Sequence, residues 1–314
     1  MPTLALSNSL AFSHLRDPDS EFPRVRVWGT IGWIAASWIF PMMWLQHDMA
    51  WGWMPPFLTG PEVEGVTGRL ADSLRFSGIL SVLYAAYCLS LPATHPKKDG
   101  VDALAFKGAF GLLRRPSFAV LVGASLLVSS IHQVYFIQAG PFLSAVGLAD
   151  SQIGPAMTVG QFSELAAIAI LGWMLKTLGF RRVLTIGAVC YALRYCAWSL
   201  VDLPASVLVA SQVLHGFCYA CFFAAAYIYV DRIAPADLRH SAQTVFGIII
   251  LGGGPVIGGW MSGALQETVQ IGDEMTLAAY APLWRVLALI GVGATLLVAL
   301  CFRDETRGVE TQQA

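Results

Sequence analysis

The sequence predicts an all-α, polytopic membrane protein with about eight transmembrane helices. Hydrophobic residues make up 56% of the 314 positions, charged residues only 12%, and the mean hydropathy is +0.63. Soluble globular domains carry roughly 25% charged residues, so this composition excludes an ordinary soluble protein. The apolar residues form continuous runs and do not alternate, which excludes the strands of a membrane barrel.

Each predicted span is a run of about 20 mostly apolar residues, enough to cross roughly 30 Å of hydrocarbon. In chain order the runs occupy 27–46, 76–94, 117–141, 153–175, 183–201, 203–230, 242–265 and 283–302. Of the nineteen lysines and arginines, fifteen fall on one side of the membrane, three on the other (Arg69, Arg75 and Arg285), and Arg194 lies inside a span. Because cytoplasmic loops are rich in these residues, both termini are predicted to be cytoplasmic.

A long basic segment, residues 95–116, follows the second predicted span and precedes the last six. Secondary transporters often consist of two six-helix halves joined by a cytoplasmic loop. We therefore interpret residues 1–94 as the remnant of an N-terminal bundle, holding the end of a fourth helix and helices five and six. Residues 95–116 are the central loop, 117–302 the C-terminal six-helix bundle and 303–314 a cytoplasmic tail. This interpretation implies that three to four helices are missing from the first half.

Ionisable residues inside the spans are the first functional candidates, because such groups are costly in a bilayer and mark substrate or proton pathways. Away from the span ends there are four of them: His132, Glu164, Arg194 and His215. Gln161 precedes Glu164 by three residues and Gln212 precedes His215 by three, so each amide shares a helix face with a titratable group. Two interpretations of Glu164 stay open: a permanent ion pair with Arg194, or a substrate or proton site.

Patterns typical of enzymes and metal sites are missing from the sequence. It contains no H-E-x-x-H, no G-x-S-x-G and no phosphate-binding loop, so we expect neither an enzyme nor a cofactor or metal. The pattern Cys218-Tyr-Ala-Cys221 lies within a span and is interpreted as packing. The glycines of residues 254–258 and 259–263, spaced at i and i+4, are expected to let helix backbones approach closely.

Several motifs resemble those of major facilitator superfamily transporters, most closely the bacterial nucleoside:proton symporters. Residues 22–33, FPRVRVWGTIGW, resemble the start of the fifth helix, and residues 1–10 look like the fourth. Further matches are Gln161-Phe-Ser-Glu164, Leu178-Gly-Phe-Arg-Arg182 and residues 235–243, PADLRHSAQ. The matches occur in order along nearly the whole chain. They imply a 6+6 major facilitator fold in the plasma membrane, here the bacterial inner membrane.

The resemblance also implies a substrate site and a proton site. The implied substrate-binding residues are Asn8, Arg26, Thr30, Trp33, Gln133, Gln161, Glu164 and Tyr219. Proton coupling would use Glu164, Arg194 and His215, which match a related set in permeases of the lactose permease type. A guanidinium can bind the vicinal hydroxyls of a ribose and an indole can stack on the ligand, so Arg26 and Trp33 suit a nucleoside.

Two positions depart from the patterns of these families. Ala220 stands where the nucleoside symporters carry an aspartate in the tenth helix. Asn8 stands where permeases of the lactose permease type have a sugar-binding carboxylate. Any proton coupling must therefore use Glu164 together with Arg194 and His215.

Our leading hypothesis is a secondary active transporter that imports nucleosides with protons by alternating access. The expected partners are a nucleoside, protons and the lipid bilayer, with no nucleic acid. Two alternatives stay open. A porter of the same superfamily could carry a sugar or another small polar solute. A non-transporting sensor or assembly protein on the same scaffold would instead bind a partner without moving a solute.

Overall fold

The computed structural model describes residues 18–51, 57–91, 111–235, 238–270 and 275–306, together with Ala11 and His14. Its description of side chains leaves out residues 18–24, Arg26, Arg239 and His240. The predicted binding residue Asn8 and the side chain of Arg26 therefore lie outside the described part of the chain. The chain divides into two compact units, Met1–Asp99 with Leu148–Thr158 and Gly100–Gly147 with Val159–Ala314.

Helices dominate both units. The described elements of residues 18–91 are α1 (Pro18–Phe40, continuing as a π-helical turn, Pro41–Leu45), β1 (Ala50–Trp51), β2 (Leu58–Thr59), α2 (Val66–Leu70) and α3 (Asp72–Cys88). After a 3-10 turn at Leu112–Arg114 come α4 (Pro116–Ala145), α5 (Asp150–Ser199), α6 (Ala205–Ile233), α7 (Arg239–Ile248 and Gly254–Val269, joined by a π-helical segment) and α8 (Leu277–Cys301). The π-helical segments of α6, α7 and α8 are Tyr219–Ala224, Ile249–Gly253 and Leu297–Cys301.

The helices follow the predicted spans closely. Among the described residues, α4 to α8 are the five helical stretches long and apolar enough to cross a membrane. They contain six of the eight predicted spans, because α5 holds two of them on either side of a break at Gly179, where φ is +76°. A positive φ suits glycine, which has no Cβ. α1 and α3 overlap the remaining two spans. The all-α polytopic fold class is confirmed.

The connection between α1 and α2 is fastened to the start of α5 within the first unit. β1 and β2 pair antiparallel, with Ala50 opposite Thr59. Gln46 donates from Nε2 to Oγ of Ser151 at 2.9 Å, and the backbone N–H of Ser151 donates to Oε1 of Glu62 at 2.7 Å. A carboxylate at a helix N-terminus also interacts favourably with the helix dipole. Two polar contacts thus fix this connection.

Two glycines allow α7 to pack closely on α4. A Cβ at Gly254 would lie 2.2 Å from Oγ of Ser129, and a Cβ at Gly258 would lie 2.4 Å from the carbonyl oxygen of Ser130. Ser129 donates from Oγ to the carbonyl of Ile250 at 2.6 Å, in the π-helical segment. The expected packing role of residues 254–258 is confirmed.

The same expectation is wrong for the second pair of glycines. A Cβ at Gly259 or Gly263 would meet no described atom within 4 Å, because both face away from α4. Farther along the contact with α4, Gln138 donates from Nε2 to Oγ of Ser262 at 2.9 Å and to Oε1 of Gln266 at 3.2 Å. The interface is therefore formed by small and polar residues four apart on one face of α7, as expected for helices packed in lipid.

The chain after α8 is tied to the break in α5. Asp304 accepts from the backbone N–H of Phe180 at 3.2 Å through Oδ2, and from the N–H and Oγ of Thr306 at 3.1 and 2.6 Å through Oδ1. Phe302 is buried against Tyr229 of α6, with ring centroids 4.9 Å apart. One carboxylate thus satisfies the backbone where α5 leaves helical geometry.

α3 differs from the other long helices because none of its residues is buried. Its ring contacts are those of Phe76 with Phe40, at 5.8 Å between centroids, and with Trp44, at 5.1 Å. Near its start, Asp72 accepts from Trp44 at 3.0 Å and from Arg75 at 2.7 Å. The helix is mostly apolar after Arg75 and, within the described chain, is held mainly at its beginning.

Candidate functional site

The centre of the second unit holds a completely buried arginine. Arg194, on the second half of α5, has 0% of its surface exposed. Its Nη1 donates to Nδ1 of His215 on α6, and its Nη2 donates to the hydroxyl of Tyr195 at 2.9 Å. Nε has no hydrogen-bond partner among the described residues. The guanidinium is thus held by neutral acceptors.

Aromatic rings surround the guanidinium. Its Cζ lies 4.1 Å from the ring centroid of Tyr135, 4.8 Å from that of Tyr195 and 5.5 Å from that of Tyr191. Placing an arginine at the centre of a membrane helix costs about 2.5–3.5 kcal/mol. A desolvated cation over a ring face regains about 2 kcal/mol. The ring faces can therefore offset most of the cost of burying this charge.

This arrangement corrects one interpretation of the sequence. Among the described residues Arg194 forms no salt bridge with Glu164, so the two are not a permanent ion pair. The reason is direction: the outer nitrogens of the guanidinium point to His215 and Tyr195. The alternative, that Glu164 belongs to a substrate or proton site, stays a prediction.

His215 must be neutral in this arrangement. A guanidinium can donate but cannot accept, so Nδ1 of His215 accepts and the ring carries its proton on Nε2. The ring stacks on that of His132 from α4, with centroids 5.5 Å apart and planes at 19°. Nδ1 of His132 lies 3.0 Å from the hydroxyl of Tyr191. Two histidines and a permanent cation thus share one cluster.

Further hydrogen bonds join the helices around this cluster. Gln212 of α6 donates from Nε2 to the hydroxyl of Tyr135 on α4 at 2.8 Å. The hydroxyl of Tyr195 on α5 donates to the carbonyl of Ile131 on α4 at 3.1 Å. Each of these hydrogen bonds restrains the side chains it joins, although Nε of Arg194 and Oε1 of Gln212 have no hydrogen-bond partner among the described residues. We call His132, Tyr135, Tyr191, Arg194, Tyr195 and His215 the arginine cluster.

The first half of α5 lies tightly against α6 beside the arginine cluster. A Cβ at Gly216 would lie 2.2 Å from the backbone carbon of Ser163 and 2.3 Å from the backbone nitrogen of Glu164. A Cβ at Gly160 would lie 3.0 Å from the ring of His215. Ser163 also donates from Oγ to the carbonyl of Val213 at 2.5 Å. These contacts place the backbone of Glu164 next to the residue that follows His215.

Gln161 and Glu164, predicted to share a helix face, are both buried, with 9% and 6% of their surfaces exposed. Oε1 of Gln161 has no hydrogen-bond partner among the described residues. Gln133 on α4 is half-buried, and a Cβ at Gly258 would lie 2.6 Å from its Cβ. Tyr219, also half-buried, begins the π-helical segment of α6 and has its ring 5.9 Å from that of Phe223.

Of the predicted residues in the first unit, Arg26, Thr30 and Trp33 lie on α1. Thr30 is buried, and Trp33 has 47% of its surface exposed. Ala220, at the position of the aspartate expected from the symporters, is fully buried within the π-helical segment of α6. π-Helical turns are frequent at functional sites. The expected carboxylate position lies five residues after His215.

The sequence did not identify the tyrosines of the arginine cluster. Tyr135, Tyr191 and Tyr195 lie among many other aromatic residues, and each looks like ordinary core packing. The sequence feature that could have revealed these tyrosines is Arg194, because a buried cation needs neighbouring groups that stabilise its charge. Residues one helical turn away, such as Tyr191, were candidates for that role.

The second unit is an apolar helical bundle with a buried arginine–histidine pair. Ionisable groups inside a membrane bundle mark substrate or proton pathways, so the class of protein is a polytopic membrane protein with such a pathway. The Nucleoside H+ symporter model matches residues 1–307, and the chain belongs to that family.

Similar proteins extend this result. YegT, a protein of Escherichia coli strain K12 described as a nucleoside transporter, is 33% identical over 274 residues, which are 85% of this chain and 60% of YegT. The xanthosine permease of the same organism is 25% identical, over 96% of this chain and 70% of its own length. The chain thus spans 60–70% of the length of these two relatives.

A solved structure shares the fold. The D323A mutant of the nucleoside transporter NupG superimposes with a TM-score of 0.78 at 23% identity, over 96% of this chain and 74% of that one. The structure of NupG without that mutation gives a TM-score of 0.73 over 73% of its length. The architecture is therefore that of a known nucleoside transporter over nearly the whole chain.

Proposed function

We propose that this protein imports nucleosides together with protons by alternating access. Membership of the Nucleoside H+ symporter family supports both the substrate class and the coupling ion. The observation that carries the proposal is the buried contact between Arg194 and His215, placed beside the face of α5 that presents Gln161 and Glu164.

The coupling follows from the chemistry of this contact. His215 accepts a hydrogen bond from a group that can only donate, so His215 can bind a proton at Nδ1 only after leaving Arg194. Once protonated, it would also face a like charge, which favours separation. Proton binding and the positions of α5 and α6 are thereby linked. Glu164, whose backbone adjoins Gly216, is the acidic member of the proposed proton path.

Substrate binding is assigned to residues of both units. On α1, we assign Arg26 to the ribose hydroxyls, Trp33 to stacking and Thr30 to a hydrogen bond. We also assign Asn8, which precedes α1 in the chain, to substrate binding. In the second unit, Gln133, Gln161, Glu164 and Tyr219 supply amide, carboxylate and hydroxyl groups. Amide and hydroxyl groups suit the hydrogen-bonding edges of an uncharged nucleobase and the hydroxyls of its ribose.

We place the protein in the bacterial inner membrane with both termini in the cytoplasm. Fifteen of the nineteen lysines and arginines support this orientation, because the positive residues of short loops remain on the cytoplasmic side. The domain assignment belongs to the same proposal: residues 1–94 and 117–302 act as two bundles joined by a cytoplasmic loop at 95–116.

The test is uptake of radiolabelled uridine and adenosine into proteoliposomes that contain the purified chain. We expect uptake that is driven by an inward proton gradient, abolished by an uncoupler and strongly reduced in Trp33→Ala and Glu164→Gln. Uptake that is indifferent to the uncoupler and to both substitutions would overturn the proposal.

A sugar porter is the second candidate. The maltose permease of Geobacillus stearothermophilus is 25% identical over 97% of this chain and 69% of that permease. Both substrate classes present vicinal hydroxyls to a guanidinium. A competition experiment measures uridine uptake in an excess of other nucleosides, maltose or glucose. Inhibition by nucleosides alone supports a nucleoside transporter, and inhibition by the sugars alone supports a sugar porter.

A further inference from the structure

The geometry of the arginine cluster points to a residue that the sequence did not single out: we propose that Tyr135 is a positioning residue that holds Arg194 against His215. Its effect on transport rests on the proposed function, whereas its effect on the Arg194–His215 contact does not.

Tyr135 is the ring nearest to the guanidinium and belongs to a different helix. Its centroid lies 4.1 Å from Cζ of Arg194. The other two rings within about 6 Å, those of Tyr191 and Tyr195, are on α5 with Arg194 itself. They accompany the arginine wherever α5 moves. Tyr195 also reaches α4, through its hydroxyl and the carbonyl of Ile131. Tyr135 is the one of these three rings that itself belongs to another helix, α4.

Tyr135 is itself held in place by the helix that carries His215. Its hydroxyl accepts from Nε2 of Gln212 at 2.8 Å, and Gln212 precedes His215 by three residues on α6. The rings of Tyr135 and His215 lie 5.6 Å apart. Both Tyr135 and Gln212 are buried. The side chain thus joins α4, α5 and α6 at the single point where the guanidinium meets the imidazole.

The groups around His215 indicate what removal of the ring would change. α4 presents His132 and Tyr135 to it, the second half of α5 presents Arg194, and the first half of α5 presents Gly160 and the backbone beside Glu164. Without the ring of Tyr135, the contact with His215 is the main restraint between the Arg194 guanidinium and α6. We therefore expect the contact to loosen and Nδ1 of His215 to become available to a proton.

The experiment measures ¹⁵N shifts of the histidine rings in the purified, labelled protein, with the His215 signals assigned through His215→Gln. In the wild type we expect a neutral ring with its proton on Nε2. Tyr135→Leu should give a mixture of ring forms, and Tyr135→Phe, which keeps the ring face, should restore the single form. Tyr135→Met repeats the test if the leucine variant is unstable. Tyr280→Leu, which removes a buried tyrosine packed on Phe142, is the control and should leave the His215 signals unchanged.

Uridine uptake at a series of external pH values gives the functional readout. Tyr135→Leu should lower proton-driven uptake about thirtyfold, the equivalent of one desolvated ring–cation contact, and move the midpoint of the pH profile. Unchanged His215 signals in both Tyr135→Leu and Tyr135→Met would overturn the positioning role, as would equal disturbance in Tyr135→Phe. If the wild type takes up no nucleoside, the proposed function fails and the ring spectra still decide the role of Tyr135.

Discussion

Arg194 donates a hydrogen bond to Nδ1 of His215 across the interface of α5 and α6, although 0% and 3% of the two residues are exposed. A donor that never deprotonates thereby fixes the tautomer of its partner. Among the described residues, no carboxylate contacts Arg194. The contact between Arg194 and His215 therefore responds directly to a proton or to a movement of either helix. The predictions below follow from this and from the packing around it.

Arg194→Lys should abolish proton-driven uptake or lower it by at least about tenfold. A lysine keeps the charge but lacks the planar fork that reaches His215 and Tyr195 at once while lying over the ring of Tyr135. Initial rates of uridine uptake under a proton gradient provide the measurement. Arg285→Lys, an exposed arginine of α8, is the control and should be unaffected. Full activity of Arg194→Lys would show that charge alone suffices.

His215→Gln should separate substrate binding from proton coupling. The amide oxygen can still accept from Arg194, but the side chain no longer binds a proton. We expect uridine binding by calorimetry to persist, while accumulation against a concentration gradient is lost. His47→Gln, on the exposed connection after α1, should behave like the wild type. Accumulation by His215→Gln would place the coupling proton elsewhere.

Gly216→Ala should lower the free energy of unfolding by about 1–3 kcal/mol, the usual cost of overpacking. The new methyl group would lie 2.2 Å from the backbone of Ser163, and backbone cannot move aside as a side chain can. Gly259→Ala is the matched control, since its methyl group would meet no described atom within 4 Å. Thermal unfolding in detergent compares the two. Equal stability would contradict the close approach of α5 and α6.

Asp304→Ala should expose the break in α5 to solvent exchange. The substitution removes the acceptor of the Phe180 N–H and of two groups of Thr306. Hydrogen exchange followed by mass spectrometry should show faster exchange in peptides that contain Gly179 and Phe180. Glu305→Ala, the neighbouring acidic residue, should leave that exchange rate as it is. Identical protection in both variants would mean that the carboxylate does not hold this segment.

Hydropathy was sufficient to locate the helices, because a span needs about 20 apolar residues whatever its neighbours are. The break between two spans at Gly179 was equally visible, as a basic segment with a glycine. The π-helical segment at Tyr219–Ala224 was not, since its residues also suit an ordinary α-helix. Its hydrogen-bond register depends on the packing of the neighbouring helices.

The residues of the site that could be predicted from the sequence are the polar ones, because polar and ionisable side chains are unusual inside membrane spans. Arg194 and His215 stood out because ionisable residues are rare in spans, and the structure brings them into contact. Tyr135 did not, because a tyrosine among apolar residues is common and its role depends on which ring meets the guanidinium. Gly254 and Gly259 begin similar patterns, yet only the three-dimensional structure distinguishes the glycine that faces α4 from the one that faces outward.

The central claim is that nucleosides and protons move together, and the most direct measurement is the proton flux caused by adding a nucleoside. Proteoliposomes containing the purified chain, lightly buffered and without a pre-formed gradient, are given uridine while the external pH is recorded. We predict an alkalinisation of the external medium that accompanies uridine entry and that is missing in His215→Gln. Uridine entry without any pH change in the wild type would contradict the account.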